Sequence, residues 1–161
     1  MNLCIWQKFK GGVEAIRADG HSLPFKSSVF DLIICYGVIP VVDEQRLIAE
    51  ASRVLKKDGT ISLSFHGIGR SLRFLAGKRR GRRGGIVGRL SATLVMLHTL
   101  MYWGTGKRLR FRGPFFGTFQ TERRIRKILN RHQMETMKES ATEERFMGAP
   151  IITRLEARKL K

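Results

Sequence analysis

A chain of 161 residues with 42% apolar content is long enough for one domain with a real core and no more than one. Its net charge of +18 favours anionic partners, phospholipid surfaces, nucleic acid or an acidic substrate, without choosing among them. Two cysteines, Cys4 and Cys35, make neither a disulfide framework nor a metal quartet, which points to a reducing compartment.

The charge is uneven. From Gly59 to Thr121 there are 12 Lys and Arg and no Asp or Glu, whereas the residues up to Asp58 carry 8 basic and 7 acidic side chains. Met1–Lys10 holds only the short apolar run Leu3–Trp6, too short for a secretory signal core. With Gly11 and Gly12 closing it, Met1–Gly12 reads as weakly helical. Val13–Ala18 is β-favouring and stops at Asp19-Gly20. Leu23-Pro24-Phe25 and Val29-Phe30-Asp31 bracket a polar turn. Asp31–Tyr36 (DLIICY) is apolar without clean alternation, as in a strand covered on both faces.

Asp43 is placed to cap a helix whose inward face is Leu47, Ile48, Ala51, Val54 and Leu55. Lys56 and Lys57 suit its negative end, and Gly59 suits a left-handed stop. Ile61–Phe65 returns as a strand, which makes a βαβ unit of a parallel sheet. His66–Gly88, with GKRRGRRGG at 77–85, reads as a flexible charged linker. Ile86–Trp103 is mostly apolar, but only Leu90–Trp103 is free of charge, short of the roughly 20 residues a span needs. A buried or interfacial helix fits better, followed by a basic turn region at 104–113. Thr121 caps a further helix with Ile125, Ile128 and Leu129 inward. Met134–Ala141 and Ile151–Leu160 close the chain as antiparallel strands, the second with Ile151, Thr153, Leu155 and Ala157 on one face.

The order D-G-H-S-L-P-F-x-x-S-x-F-D-L-I-I-C, a helix, then R-V-L-K-x-x-G resembles the second half of a class I S-adenosylmethionine-dependent methyltransferase domain. It is similar to the group that includes the quinone and other small-molecule methyltransferases. The resemblance covers roughly a third of the chain, and it implies an α/β fold with an incomplete Rossmann-like sheet, helices on both faces, and a basic, partly helical insert or lid at 66–116. The family's Gly-rich loop has no counterpart here. The chain is therefore expected to be a single domain over 1–161 that begins partway through the fold, a fragment or truncated gene model of a longer enzyme. A true short protein that has closed the gap is the alternative.

The resemblance also implies S-adenosylmethionine as cofactor. Asp19 would accept from the adenine amino group, with Gly20 and His21 contacting the ring, and Cys35 and Tyr36 would face the methionine part. Against this, Asp19-Gly20 is also an ordinary turn, and Cys35 an ordinary buried thiol. Where the family often has a histidine, this chain has Val41, so no catalytic residue is assigned. His66 follows a strand end and could face the substrate, although a lone histidine there reads first as solvated or structural; His98 reads as a satisfied helix histidine, and no metal site is expected. The implied reaction is methyl transfer to a small, lipophilic acceptor. The runner-up is a degenerate, non-catalytic fold serving as a basic module for acidic lipid or RNA, and a third reading supplies the missing half-domain in trans. A peripheral membrane contact through 78–112 is expected ahead of RNA, because aromatic interleaving is thin. The expected location is the cytoplasm, at a membrane surface if the insert docks.

Overall fold

The computed structural model describes residues 2–9, 12–77, 86–107, 117–141 and 144–160. The basic runs at 78–85 and 108–116, and with them Phe111, Phe115 and Phe116, lie outside the described residues.

The core is a four-stranded sheet in the order β3-β4-β8-β5. Strands β3 (Phe30–Tyr36) and β4 (Leu55–His66) run parallel, and helix α1 (Glu44–Val54) connects them as the expected βαβ unit. β8 (Ile152–Lys159) pairs antiparallel with β4 and with β5 (Met134–Ala141). Helix α4 (Glu122–Arg131) leads into β5, and a two-residue hairpin, β6 (Arg145–Phe146) with β7 (Ala149–Pro150), sits between β5 and β8.

Apolar burial explains the layering. Cys35, Ile61, Leu63, Phe65, Leu155 and Ala157 share one face of the sheet and join one cluster with Leu47, Ile48 and Ala51 of α1 and Ile125, Ile128 and Leu129 of α4. The Leu, Ile and Phe side chains among them each contribute about 1.5–3 kcal/mol when fully buried. Asp43 accepts from the Gln45 and Arg46 amides at 3.0 and 3.2 Å, and Thr121 accepts from Arg124 N at 3.4 Å. Both caps stand where the sequence puts them. Helices on both faces are expected; α1 and α4 cover one, while Leu32, Ile34 and Tyr36, alternating on the other side of β3, are 55%, 62% and 52% exposed. β3 is also an edge strand.

Three local expectations are corrected. The segment read as weakly helical is a strand, β1 (Asn2–Phe9), paired antiparallel with β2 (Gly12–Asp19) from Phe9↔Gly12 to Asn2↔Asp19. The run Leu3-Cys4-Ile5-Trp6 suits a strand at least as well as a helix, and β2 is a partner close by in sequence. β2 therefore pairs with β1 in its own small sheet and not with β3. Second, α1 stops at Val54, and it is Asp58, not Gly59, that takes a positive φ, +61°. Gly59 is needed for close approach: a Cβ there would lie 2.9 Å from Leu55 Cγ and 3.0 Å from the Lys56 carbonyl oxygen. Lys56 reaches Asp31 at 2.9 Å instead of the helix end. Third, part of the stretch read as linker is helix α2 (Ile68–Leu75). Gly67 and Gly69 press its start against the β7 backbone, where a Cβ would meet the Pro150 and Ala149 carbonyl oxygens at 2.4 and 2.3 Å. Glycine spacing that looks like flexibility is steric fit.

Helix α3 (Ile86–Thr105) follows, and among the described residues no helix is long and apolar enough to cross a membrane. It is fastened by Glu44, the first residue of α1, which is fully buried. Glu44 Oε1 accepts from Arg124 Nε and Nη2 at 3.1 and 3.0 Å, and Glu44 Oε2 accepts from the Tyr102 hydroxyl at 2.9 Å. The Arg124 guanidinium lies 5.5 and 5.8 Å from the Tyr102 and Trp103 ring centroids. Three helices thus meet on one carboxylate. Glu44→Ala is expected to cost about 3 kcal/mol by urea unfolding, because it strands a half-buried guanidinium and a buried hydroxyl. Tyr102→Phe alone should cost about 1 kcal/mol, and the double variant should cost less than the sum. Strict additivity would show that the three side chains do not act as a unit.

Candidate functional site

The βαβ unit sets up a site at the carboxyl ends of its strands, where open α/β sheets bind ligands. β3 ends at Tyr36 and is followed by Gly37, whose φ of +71° turns the chain out of the sheet. Its amide donates to Ser64 Oγ at 3.2 Å, which holds the turn against β4. β4 ends at His66. Between these ends lies a cavity of about 300 Å³.

Its floor is Gly37, Pro40 and Val41 on one side and His66 and Gly67 on the other. Its roof comes from the stretch between β4 and α4: Arg70, Ser71 and Phe74 of α2, and Val87, Ser91 and Val95 of α3. Residues 117–119 make the remaining wall, held by Thr118 N to the Pro40 carbonyl at 2.8 Å and Gln120 N to the His66 carbonyl at 3.0 Å. The walls are mainly apolar, with a polar end at His66 and Arg70.

That polar end has a definite electrostatic state. His66 is pushed down to about 4, chiefly by burial and then by the nearby Arg70 charge. It is therefore neutral at physiological pH. Arg70 Nη1 stands 2.9 Å from His66 Nε2, a geometry in which the guanidinium donates and the ring accepts.

The residues singled out by sequence fall into two groups. Asp19 ends β2, and its Oδ1 takes the His21 amide and the His21 Nδ1, both at 3.0 Å. The His21 amide, above all, holds the Asp19 carboxyl below its ordinary value. His21 Nε2 in turn accepts from Asp43 N at 3.2 Å, so the Asp19-Gly20-His21 turn is tied to the start of α1. Cys35 and Tyr36 sit elsewhere, at the end of β3. Cys35 is buried toward the helices, its thiol pushed up to about 12 by desolvation. Tyr36 stands on the open face, its hydroxyl 3.1 Å from Ser62 Oγ and its ring under Arg154 at 5.8 Å. None of the five lines the cavity. Val41, where the family often has a histidine, and His66, which follows a strand end, do line it.

The loop between the two groups is held by residues that sequence reasoning passed over. Glu50 Oε1 accepts from Leu23 N at 2.7 Å. Arg53 donates to the Leu23 and Phe25 carbonyls at 3.2 and 2.9 Å while pairing with Glu50 at 2.7 Å. Phe25 packs edge-on against Phe30 at 4.9 Å. The Leu-Pro-Phe loop is thus clamped to the outer side of α1, and the i, i+3 spacing of Glu50 and Arg53 was the signal for it.

Similarity to known proteins agrees with this layout. Residues 3–63 match the family described as methyltransferase domain. The ubiquinone/menaquinone biosynthesis C-methyltransferase UbiE of Campylobacter jejuni is 42% identical over 50 residues, 30% of this chain. That stretch is 21% of the relative's own length. A S-adenosylmethionine-dependent methyltransferase of Methanosarcina mazei superposes with a TM-score of 0.57 at 21% identity, covering 89% of this chain and 65% of that one. One from Listeria monocytogenes gives 0.58 at 11% identity over 89% and 68%. At such identities the solved structures speak for the fold. The match at 3–63 is therefore to a methyltransferase domain, and the fold of the described residues is similar to that of S-adenosylmethionine-dependent methyltransferases.

Proposed function

We propose that this domain takes part in S-adenosylmethionine-dependent methyl transfer to a small, lipophilic acceptor held in the cavity between β3, β4 and the two helices above them. The observation that carries the reading is the position of that cavity: it lies at the carboxyl ends of the parallel strands and is roofed by α2 and α3.

The residues present fit one side of the cofactor. Asp19 is about half exposed and held ionised, so it suits an adenine amino donor, and the neighbouring turn is pinned by His21. Cys35-Tyr36-Gly37 leads from the sheet to the cavity floor and suits the end of the cofactor that carries the methyl group. No glycine-rich loop for the carboxylate end is present in the sequence. When bound, S-adenosylmethionine supplies an already activated methyl group, so the chain need mainly align the acceptor and keep water out. Pro40, Val41, Phe74 and Val95 supply the dry walls. His66 and Arg70 orient an oxygen-bearing end of the acceptor, His66 as a neutral hydrogen-bonding group. An acceptor of the quinone class, which the name of the Campylobacter relative indicates for that enzyme, has this mix of apolar ring and oxygen.

Calorimetric titration of S-adenosylmethionine into the 1–161 chain tests the cofactor reading. Micromolar binding that Asp19→Ala weakens by about tenfold or more is expected, since a hydrogen bond to a charged group is worth about 1.5–3 kcal/mol. A folded protein that takes up no cofactor would overturn it in favour of the non-catalytic module.

The state of His66 is separately testable. Unfolded, the imidazole takes up a proton near 6.5; folded, only near 4. In that window the unfolded state binds more protons, so His66 makes stability fall as pH drops from about 6.5 toward about 4. His66→Asn should lose less stability over that range than the parent chain in parallel denaturant titrations. Identical slopes would place the histidine in contact with solvent.

A further inference from the structure

Helix α3 is amphipathic in the wrong sense for a helix whose surroundings end with this chain. Its inward side is small or polar: Gly88, Ala92 and Thr99 are buried, with Tyr102 the one large residue among them. Its outward side is mainly aliphatic, with the exposed Thr93 among the leucines. Ile86, Leu90, Leu94, Leu97 and Leu100 are 77%, 60%, 57%, 59% and 58% exposed. At 100° per residue they fall within one stripe about a third of the circumference wide, running from the start of the helix to Leu100. At 1.5 Å per residue that is about 21 Å. Isolated surface leucines need no explanation, but a continuous stripe of this kind marks a contact.

The charge around the stripe selects the occupant. Arg89 is exposed near one end of α3 and Lys107 just past the other. The segments flanking the helix in sequence, 78–83 and 108–112, add five and three Lys or Arg, and no acidic residue occurs anywhere from 59 to 121. An apolar stripe between cationic flanks matches the acyl boundary and headgroup phosphates of an anionic bilayer. The helix is not long and apolar enough to cross a membrane, and lying in the interface plane is the arrangement its stripe suits.

We propose that α3 is a membrane-docking helix that lays Ile86, Leu90, Leu94, Leu97 and Leu100 into the surface of an anionic phospholipid bilayer. Docking itself does not depend on the methyltransferase reading. A consequence that does rest on it is the route of the acceptor: Val87, which is 58% exposed beside the stripe, also lines the cavity. A lipophilic acceptor dissolved in the bilayer would then enter where α3 meets the membrane.

Flotation of the full chain with phosphatidylglycerol-containing vesicles, against pure phosphatidylcholine, tests the docking. Binding to the anionic vesicles is expected, reduced about tenfold or more by Leu90→Asn/Leu94→Asn/Leu97→Asn and weakened by raising salt from about 0.1 to 0.5 M. The three leucines are exposed, so the variant should keep the parent's circular dichroism; if it does not, Ile86→Asn at the most exposed position gives the same comparison. Three results would overturn the proposal: anionic-vesicle binding unchanged by the substitutions, no vesicle binding at all, or a parent dimer that the substitutions dissociate without vesicle binding, which would mean a second copy covers the stripe. Binding to RNA that the leucine substitutions leave intact would assign only the charge to nucleic acid and would not account for the stripe, so the vesicle result decides. Cofactor calorimetry on the same variant separates the two readings, because loss of docking with retained cofactor binding touches only this one.

Discussion

The fold depends on one buried carboxylate. Glu44 begins α1, receives Arg124 from the first turn of α4 and Tyr102 from the last turns of α3, and is wholly removed from water. A carboxylate in that position is costly unless its lone pairs are filled, and here three donors fill them. The geometry couples two things that apolar packing alone would leave independent: the helices under the sheet and the helix over the cavity. Remove the charge and α3 keeps its small inward residues, Val95 at the cavity and the Trp103–Phe119 contact to hold it.

Around that node α1 acts as the organiser of the site. Asp43 at its cap reaches back through His21 to Asp19. Glu50 and Arg53 on a later turn grip the Leu23–Phe25 backbone. Its apolar face holds the sheet through Leu47, Ile48 and Ala51. One eleven-residue helix therefore positions the adenine-side turn, the loop that follows and, through the strands it connects, the cavity floor. Helix-borne contacts of this kind hold a loop more tightly than the loop's own turns would.

The cavity and the exposed stripe belong to the same element. α3 turns its small residues to the cavity and to residues 117–119, where Phe119 N donates to the Thr99 hydroxyl at 3.3 Å and Trp103 meets Phe119 edge-on at 5.3 Å. Small residues there are what leave the cavity its volume. The aliphatic residues displaced from that side have nowhere to go but outward, so a roomy, apolar site and an apolar outer surface arise from one distribution of side-chain sizes. His66 completes the pattern: the burial that keeps the cavity dry also keeps its imidazole uncharged.

Much of this was legible in the chain. The βαβ unit, both helix caps, the inward faces of α1 and α4 and the alternation of β8 follow from periodicity and capping chemistry, which are local properties that neighbouring residues settle among themselves. The motif order from Asp19 to Gly59 carried the family resemblance for the same reason. What sequence could not decide was where chains remote from one another meet. Leu3–Trp6 suits helix or strand until β2 lies alongside it; Gly67 and Gly69 look flexible until the β7 backbone presses on them. The hydropathy of α3 tells that it is apolar, but not which side faces in. Tertiary contacts chose the small side, because Gly88, Ser91 and Ala92 leave room for the cavity while Tyr102 reaches the buried Glu44.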